Sequence, residues 1–164
     1  MIRPVTPDDA ATLVRMTAET NVFKPLEIEA LEGVLQDYFA TEQTSGHRAF
    51  LWEDEQGIVG YVYYAPEEMT EQTWCLWWIV VDARTQGRGV GAKLLKWVEE
   101  DVARSHGRIL YIETSSLPHY EATCRFYVKN GYEWQGRLRD FYADGDDMMV
   151  YSKHLLRGAS PTTS

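Results

Sequence analysis

Residues 74–95 constrain the fold of this chain more than any other stretch. Trp74-Cys75-Leu76-Trp77-Trp78-Ile79-Val80-Val81 is a continuous apolar run of strand length, as expected at the centre of a sheet. A turn follows with glycines at alternate positions, Gly87, Gly89 and Gly91. Val90, Leu94, Leu95, Val98 and Val102 then recur at helical spacing, so a helix starts inside the turn. Strand, turn and helix in that order aim successive backbone N–H groups, and the positive end of the helix dipole, into one concavity. Such a concavity suits a diphosphate, and Arg84 and Arg88 add positive charge beside it.

Two familiar phosphate-binding patterns do not fit. A Walker A loop needs Gly-Lys-Ser/Thr, and here Lys93 is followed by Leu94. The G-x-G-x-x-G dinucleotide fingerprint is not met by Gly87, Gly89 and Gly91, and no acidic ribose partner is clearly placed after the next strand.

Around this centre the elements read in a definite order. Residues 2–5 form a short extended segment whose proline suits an edge strand. Thr6-Pro7-Asp8-Asp9 signals a helix start, with Leu13, Val14 and Met16 on its apolar face. Residues 26–40 read as a second helix, and a polar loop at 41–46 leads to strands at 49–52 and 58–64. After the central strand and its helix, which runs to about residue 106, come a strand at 109–112 and a helix at 120–130 stopped by Gly131. A hairpin of 132–142 with 148–153 closes the pattern. Residues 1–157 are expected to form a single domain and 158–164 a disordered tail.

Composition excludes several classes of function. The first 72 residues carry 14 acidic against 4 basic side chains, and the remainder 11 against 12. Nucleic acid wants a basic stripe, so it is not expected as a partner. An acidic first half suits a cationic ligand, although a solvated helix surface accounts for it equally. No signal peptide and no run of about 18 apolar residues occurs, which predicts a cytoplasmic chain without a membrane partner. Cys75 and Cys124 form no Cys-x-x-Cys pair and the four histidines are scattered, so no metal is expected.

Two motifs carry a family resemblance. Gln86-x-x-Gly89-x-Gly91 is similar to the Gln/Arg-x-x-Gly-x-Gly/Ala motif of the GNAT superfamily of acetyl-CoA-dependent N-acetyltransferases. Arg125-Phe126-Tyr127-Val128-Lys129-Asn130-Gly131-Tyr132 resembles that family's Phe/Leu-Tyr-x-x-x-Gly-Phe segment. The resemblance implies an α/β (α+β) fold, a mixed sheet of six to seven strands with helices on both sides.

It further implies acetyl-CoA as co-substrate, with Gln86, Gly87, Arg88, Gly89, Val90 and Gly91 on the pyrophosphate. The backbone of Ile79, Val80 and Val81 would pair with the pantetheine arm. Tyr127 becomes the general acid that reprotonates the departing thiolate. Direct attack by a primary amine is expected, the aromatic and acidic residues at the acceptor end suit a small cationic molecule, and a homodimer is compatible with the family.

Two departures are visible. Relatives place a Glu on the central strand, where this chain has none, which leaves Glu113 as the nearest base; a strand-end salt bridge explains that residue equally well. Relatives also carry an Asn about seven residues before the tyrosine, where Tyr120 stands here. For the acceptor, the resemblance points to Trp74, Phe141, Tyr142 and Asp146. A non-enzymatic acetyl-CoA sensor, or acetylation of a protein N-terminus or lysine, are the alternatives.

Overall fold

The computed structural model describes residues 1–41 and 45–155. The expected tail at 158–164 lies outside the described residues, as does part of the expected 41–46 loop. The elements are β1 (Ile2–Pro4), α1 (Ala10–Glu19), α2 (Pro25–Thr41), β2 (Arg48–Asp54), β3 (Gly57–Pro66), β4 (Thr73–Val81), α3 (Val90–Arg104), β5 (Ile109–Ser115), α4 (Glu121–Lys129), β6 (Glu133–Ala143) and β7 (Asp146–His154). The strands follow the order β1-β2-β3-β4-β5-β7-β6 in one seven-stranded sheet. It is mixed: β4 and β5 run parallel, while β1–β2, β2–β3, β5–β7 and β6–β7 pair antiparallel. No helix among the described residues is long and apolar enough to cross a membrane.

The chain divides into two compact units, Met1–Ala65 with Trp78–Val98, and Pro66–Trp77 with the chain from Glu99 onward. In the first unit, alternation along β3 puts helices on both of its faces. Tyr61 turns to α1, where its hydroxyl meets Thr17 Oγ1 at 2.6 Å, and the Tyr63 ring lies 5.7 Å from that of Tyr38 in α2. Gly60, one residue from Tyr61, turns the other way, toward Leu94 and Val90 of α3. The core of this unit joins Leu13 and Met16 of α1, Leu31 and Leu35 of α2, and Leu51, Tyr61 and Val80 of the strands.

In the second unit β5 lies between β4 and β7. Leu110 and Ile112 are buried from one face, and Tyr127, Tyr132 and Tyr151 form an aromatic layer from α4, the segment after it and β7. Two expected elements differ in detail. The fourth helix is preceded by a separate 3-10 turn, Pro118–Tyr120, because Pro118 fixes the first turn without a donor. The last hairpin needs only Asp144 and Gly145 as its turn, with Gly145 at φ 81°, so Asp146 and Asp147 belong to β7.

Candidate functional site

The turn between β4 and α3 is held by backbone and by one acid. Asp82 N–H donates to Val59 O at 2.8 Å, anchoring the strand end to β3. The Asp82 carboxylate accepts from Arg84 N at 2.8 Å, and Thr85 N–H donates to Asp82 O at 2.9 Å, winding the 3-10 turn Ala83–Thr85. Gly87 and Gly89 then sit at φ 85° and 76°, a region that favours glycine. A Cβ at either position would meet nothing within 4 Å, so this stretch faces open space. The first helical bond is Lys93 N–H to Gly89 O at 3.1 Å. Among the described residues, none of the amides at 87–91 donates to a protein acceptor. They point from the positive end of a 15-residue helix, which is where an anion is best received.

The two arginines of the turn differ. Arg84 places Nε 3.0 Å from Asp82 Oδ1 and Nη2 2.6 Å from Oδ2. This guanidinium holds the Asp82 carboxyl below the usual carboxylate range and is committed to it. Arg88 is exposed and makes no hydrogen bond or ion pair among the described residues.

Gly60 sets the depth at which α3 rests. A Cβ there would stand 2.8 Å from Leu94 Cδ1 and 2.9 Å from Val80 O, so any larger residue would push the helix off the strands that carry the turn.

The second unit carries the acids and the tyrosine. The β4–β5 ladder pairs Thr73, Trp74 and Cys75 with Ile109, Leu110 and Tyr111. Tyr111 and Glu113 share one face of β5 by alternation. The Tyr111 hydroxyl donates to Glu67 Oε2 at 2.6 Å. Glu113 is exposed, with its carboxyl raised above the ordinary range by partial burial first and by the Glu67 charge second. It has no cationic partner among the described residues.

Tyr127 of α4 is 4% exposed, with ring centroids of Tyr132 and Tyr151 at 5.9 Å and 6.2 Å. Burial pushes its phenol well above the ordinary value, so it stays protonated at any physiological pH. Its hydroxyl has no hydrogen-bond partner among the described residues.

Comparison with known proteins places this geometry. The description "Acetyltransferase (GNAT) domain" matches residues 45–134, more than half of the chain. The chain belongs to the GNAT acetyltransferases. A GNAT-family protein from Desulfovibrio desulfuricans is 31% identical with a TM-score of 0.90, over 94% of this chain and 98% of that one. S-(2-succino)cysteine N-acetyltransferase of Bacillus subtilis is 30% identical over 82 residues, a match that spans 50% of this chain and 48% of that protein. A Salmonella typhimurium protein solved with its cofactor acetyl-CoA shares the fold at a TM-score of 0.74 and 17% identity, over 100% of this chain and 98% of that one. The chain spans about half the length of the curated relative it matches, and its mixed seven-stranded sheet is the fold of the GNAT family.

The residues singled out from the sequence fall into separate groups. Gln86, Gly87, Arg88, Gly89, Val90 and Gly91 form the turn and the start of α3, and Ile79, Val80 and Val81 end the strand that leads into it. Glu113 and Tyr127 belong to the second unit. Of the acceptor candidates, Trp74 is 4% exposed and lies beneath Gly107, whose Cβ would come 3.1 Å from the indole. Asp146 is buried and accepts a short hydrogen bond from Ser115 Oγ. Phe141 and Tyr142 are exposed on β6, ring against ring at 5.0 Å. Among the described residues no group of three or more His, Cys, Asp or Glu is placed to hold a metal ion.

Sequence reading missed Gly60, Asp82, Glu67 and Tyr111. A lone glycine inside a β-branched run, Ile58-Val59-Gly60-Tyr61, is a signal of close backbone approach that could have found Gly60. Nothing local marks Glu67, because its partner stands 44 residues away.

Proposed function

We propose that this GNAT enzyme acetylates a primary amine of a small cationic molecule by direct attack on acetyl-CoA. The amides at 87–91 and the free guanidinium of Arg88 receive the pyrophosphate. The backbone of Ile79, Val80 and Val81 pairs with the pantetheine arm as an added strand pairs. Glu113 takes a proton from the ammonium of the acceptor, and the amine nitrogen then bonds to the acetyl carbon as the C–S bond breaks. Tyr127 gives its proton to the departing sulfur, and the second proton lost by the nitrogen as the amide forms returns through solvent to the Tyr127 phenolate. A buried phenol is a weaker acid than a free one, but a thiolate leaving into the same apolar surroundings is destabilised by the same desolvation, which keeps the transfer balanced.

The observation that carries this reading is Glu113: a carboxyl near the end of its strand, with no cationic partner among the described residues, whose raised proton affinity brings it closer to neutral pH, where a general base works best. A second carboxyl beside it and the acidic first 72 residues favour a cationic acceptor. The relative from Bacillus subtilis favours a second reading, in which the acceptor is the amine of an S-substituted cysteine, an anionic amino acid. We place the reaction in the cytoplasm, where acetyl-CoA is available.

Release of free thiol from acetyl-CoA, measured with polyamines, aminoglycosides, S-(2-succino)cysteine and a peptide N-terminus, separates these readings. Turnover with the polycations and none with the succinylated cysteine is expected; the reverse order would replace the first reading by the second. Silence with every amine would remove the proposed reaction itself.

A further inference from the structure

The β5 face that carries Glu113 also carries Tyr111, and Tyr111 reaches to a residue outside the strand. Its hydroxyl is 2.6 Å from Glu67 Oε2, just past the end of β3. Residues two apart on one strand are spaced by about 6.6–6.8 Å, so the hydrogen bond fixes a second carboxylate at the tip of the side chain next to Glu113 on this face, where its charge is felt at Glu113.

Among the described residues Glu113 has no ion-pair partner. On β7 the residues opposite Tyr111, Glu113 and Ser115 are Ser152, Val150 and Met148, which carry no charge; the titratable groups of the same alternation are His154, exposed and opposite Ile109, and Asp146, which accepts from Ser115 Oγ. On β4 the residue opposite Tyr111 is Cys75, a buried thiol pushed up to about 12 and therefore neutral. On β6 the charges in register are Glu133, exposed and negative opposite Ser152, and Arg137 opposite Met149, whose guanidinium is paired with Asp147 at 2.6 Å.

We propose that Glu67 is a positioning residue: tied down by Tyr111, its negative charge holds on Glu113 the proton that the base takes from the acceptor amine. This rests on Glu113 as the base. Glu67 touches neither acetyl group nor acceptor in this scheme, and it acts through the field at Glu113. Partial burial of Glu113 adds to the same effect and comes first in size. Because Glu67 is exposed, its influence should be screened by salt.

The test is the pH profile of kcat/KM for wild type, Glu67→Gln and Tyr111→Phe. In Glu67→Gln the acidic limb should move to lower pH, and the plateau should fall as the base weakens, with KM for the acceptor unchanged. Tyr111→Phe should move the limb the same way by less, because it frees the carboxylate without removing it. Raising ionic strength should draw the wild-type limb toward that of Glu67→Gln.

A raised KM with an unmoved limb would make Glu67 a substrate-binding residue instead. A lowered melting temperature with an unmoved limb would leave it merely structural. Either result overturns the proposal. Carboxyl NMR titration of Glu113, with and without Glu67, reads the same coupling without turnover. If Glu113→Gln keeps the wild-type limb, the base assignment fails on its own; an NMR titration of Glu113 unmoved by Glu67→Gln overturns the present proposal separately.

Discussion

The turn before α3 and the face of β5 do different work and are made of different material. The turn is backbone: two left-handed glycines and a row of amides with no acceptor among the described residues, all within a few residues of chain. The β5 face is side chains: Glu113 and Tyr111 from one strand and Glu67 from 44 residues before Tyr111. A backbone site recognises what every reaction of the family shares, the diphosphate of the coenzyme, and tolerates change in all side chains but glycine. A side-chain site can be rebuilt by single substitutions, so it is where this enzyme can differ from its relatives. The missing Glu of the central strand, and the carboxyls found on β5 in its place, fit that division.

The largest effect that tests the division is expected from Tyr127→Phe. The ring keeps its contacts with Tyr132 and Tyr151, and only the hydroxyl goes, which has no hydrogen-bond partner among the described residues. Turnover should fall by about 10²–10⁴-fold, the usual worth of a general acid. Coenzyme affinity and melting temperature should stay close to wild type. Full turnover in this variant would return Tyr127 to the aromatic layer as a packing residue.

Next in size is Gly89→Val. With nothing within 4 Å of the new Cβ, the protein itself leaves room for the side chain, and the folding cost is the strain of a β-branched residue at φ 76°. Such strain costs about 1–3 kcal/mol. The bound diphosphate has no such room. Loss of one charge-assisted bond, about 1.5–3 kcal/mol, should weaken acetyl-CoA binding roughly ten- to hundredfold in a calorimetric titration. Unchanged affinity in a folded variant would detach the turn from the coenzyme.

How much could be read from the chain follows the same line. Hydrophobic spacing located the strands and helices, because each is dictated by neighbours a few residues away. The turn was legible for the same reason. The commitment of Arg84 was not: two residues after Asp82, it reads as a second cation for the pyrophosphate, yet in the folded turn its guanidinium closes on that carboxylate and leaves Arg88 as the free charge. Tyr111 reads as one more apolar residue of a short strand until Glu67 arrives from another part of the chain. Trp74, an aromatic on the central strand, reads as an acceptor candidate although aromatic stripes are more often core, and its packing beneath Gly107 shows the interior position.

The smallest effect is expected from Asp82→Asn, and it asks whether the turn depends on a side chain after all. Asp82 is 5% exposed, and its carboxyl is depressed by the Arg84 hydrogen bonds first and the Arg84 amide after partial burial is offset. A depressed carboxyl contributes stability that is present above its unfolded value of 3.8 and lost as pH falls through its folded one. Wild-type melting temperature should therefore drop below that pH more steeply than that of the variant. At neutral pH the variant should melt only slightly lower, since the Arg84 side chain is 78% exposed and the pair is screened by water and salt. Asparagine keeps an acceptor for the Arg84 amide, and Asp82 N–H still donates to Val59 O, so the backbone path into the glycines is retained. Acetyl-CoA affinity should then stay near wild type. If it falls as far as in Gly89→Val, the turn needs the Asp82 charge to hold its shape, and the contrast between a backbone site and a side-chain site breaks at this residue.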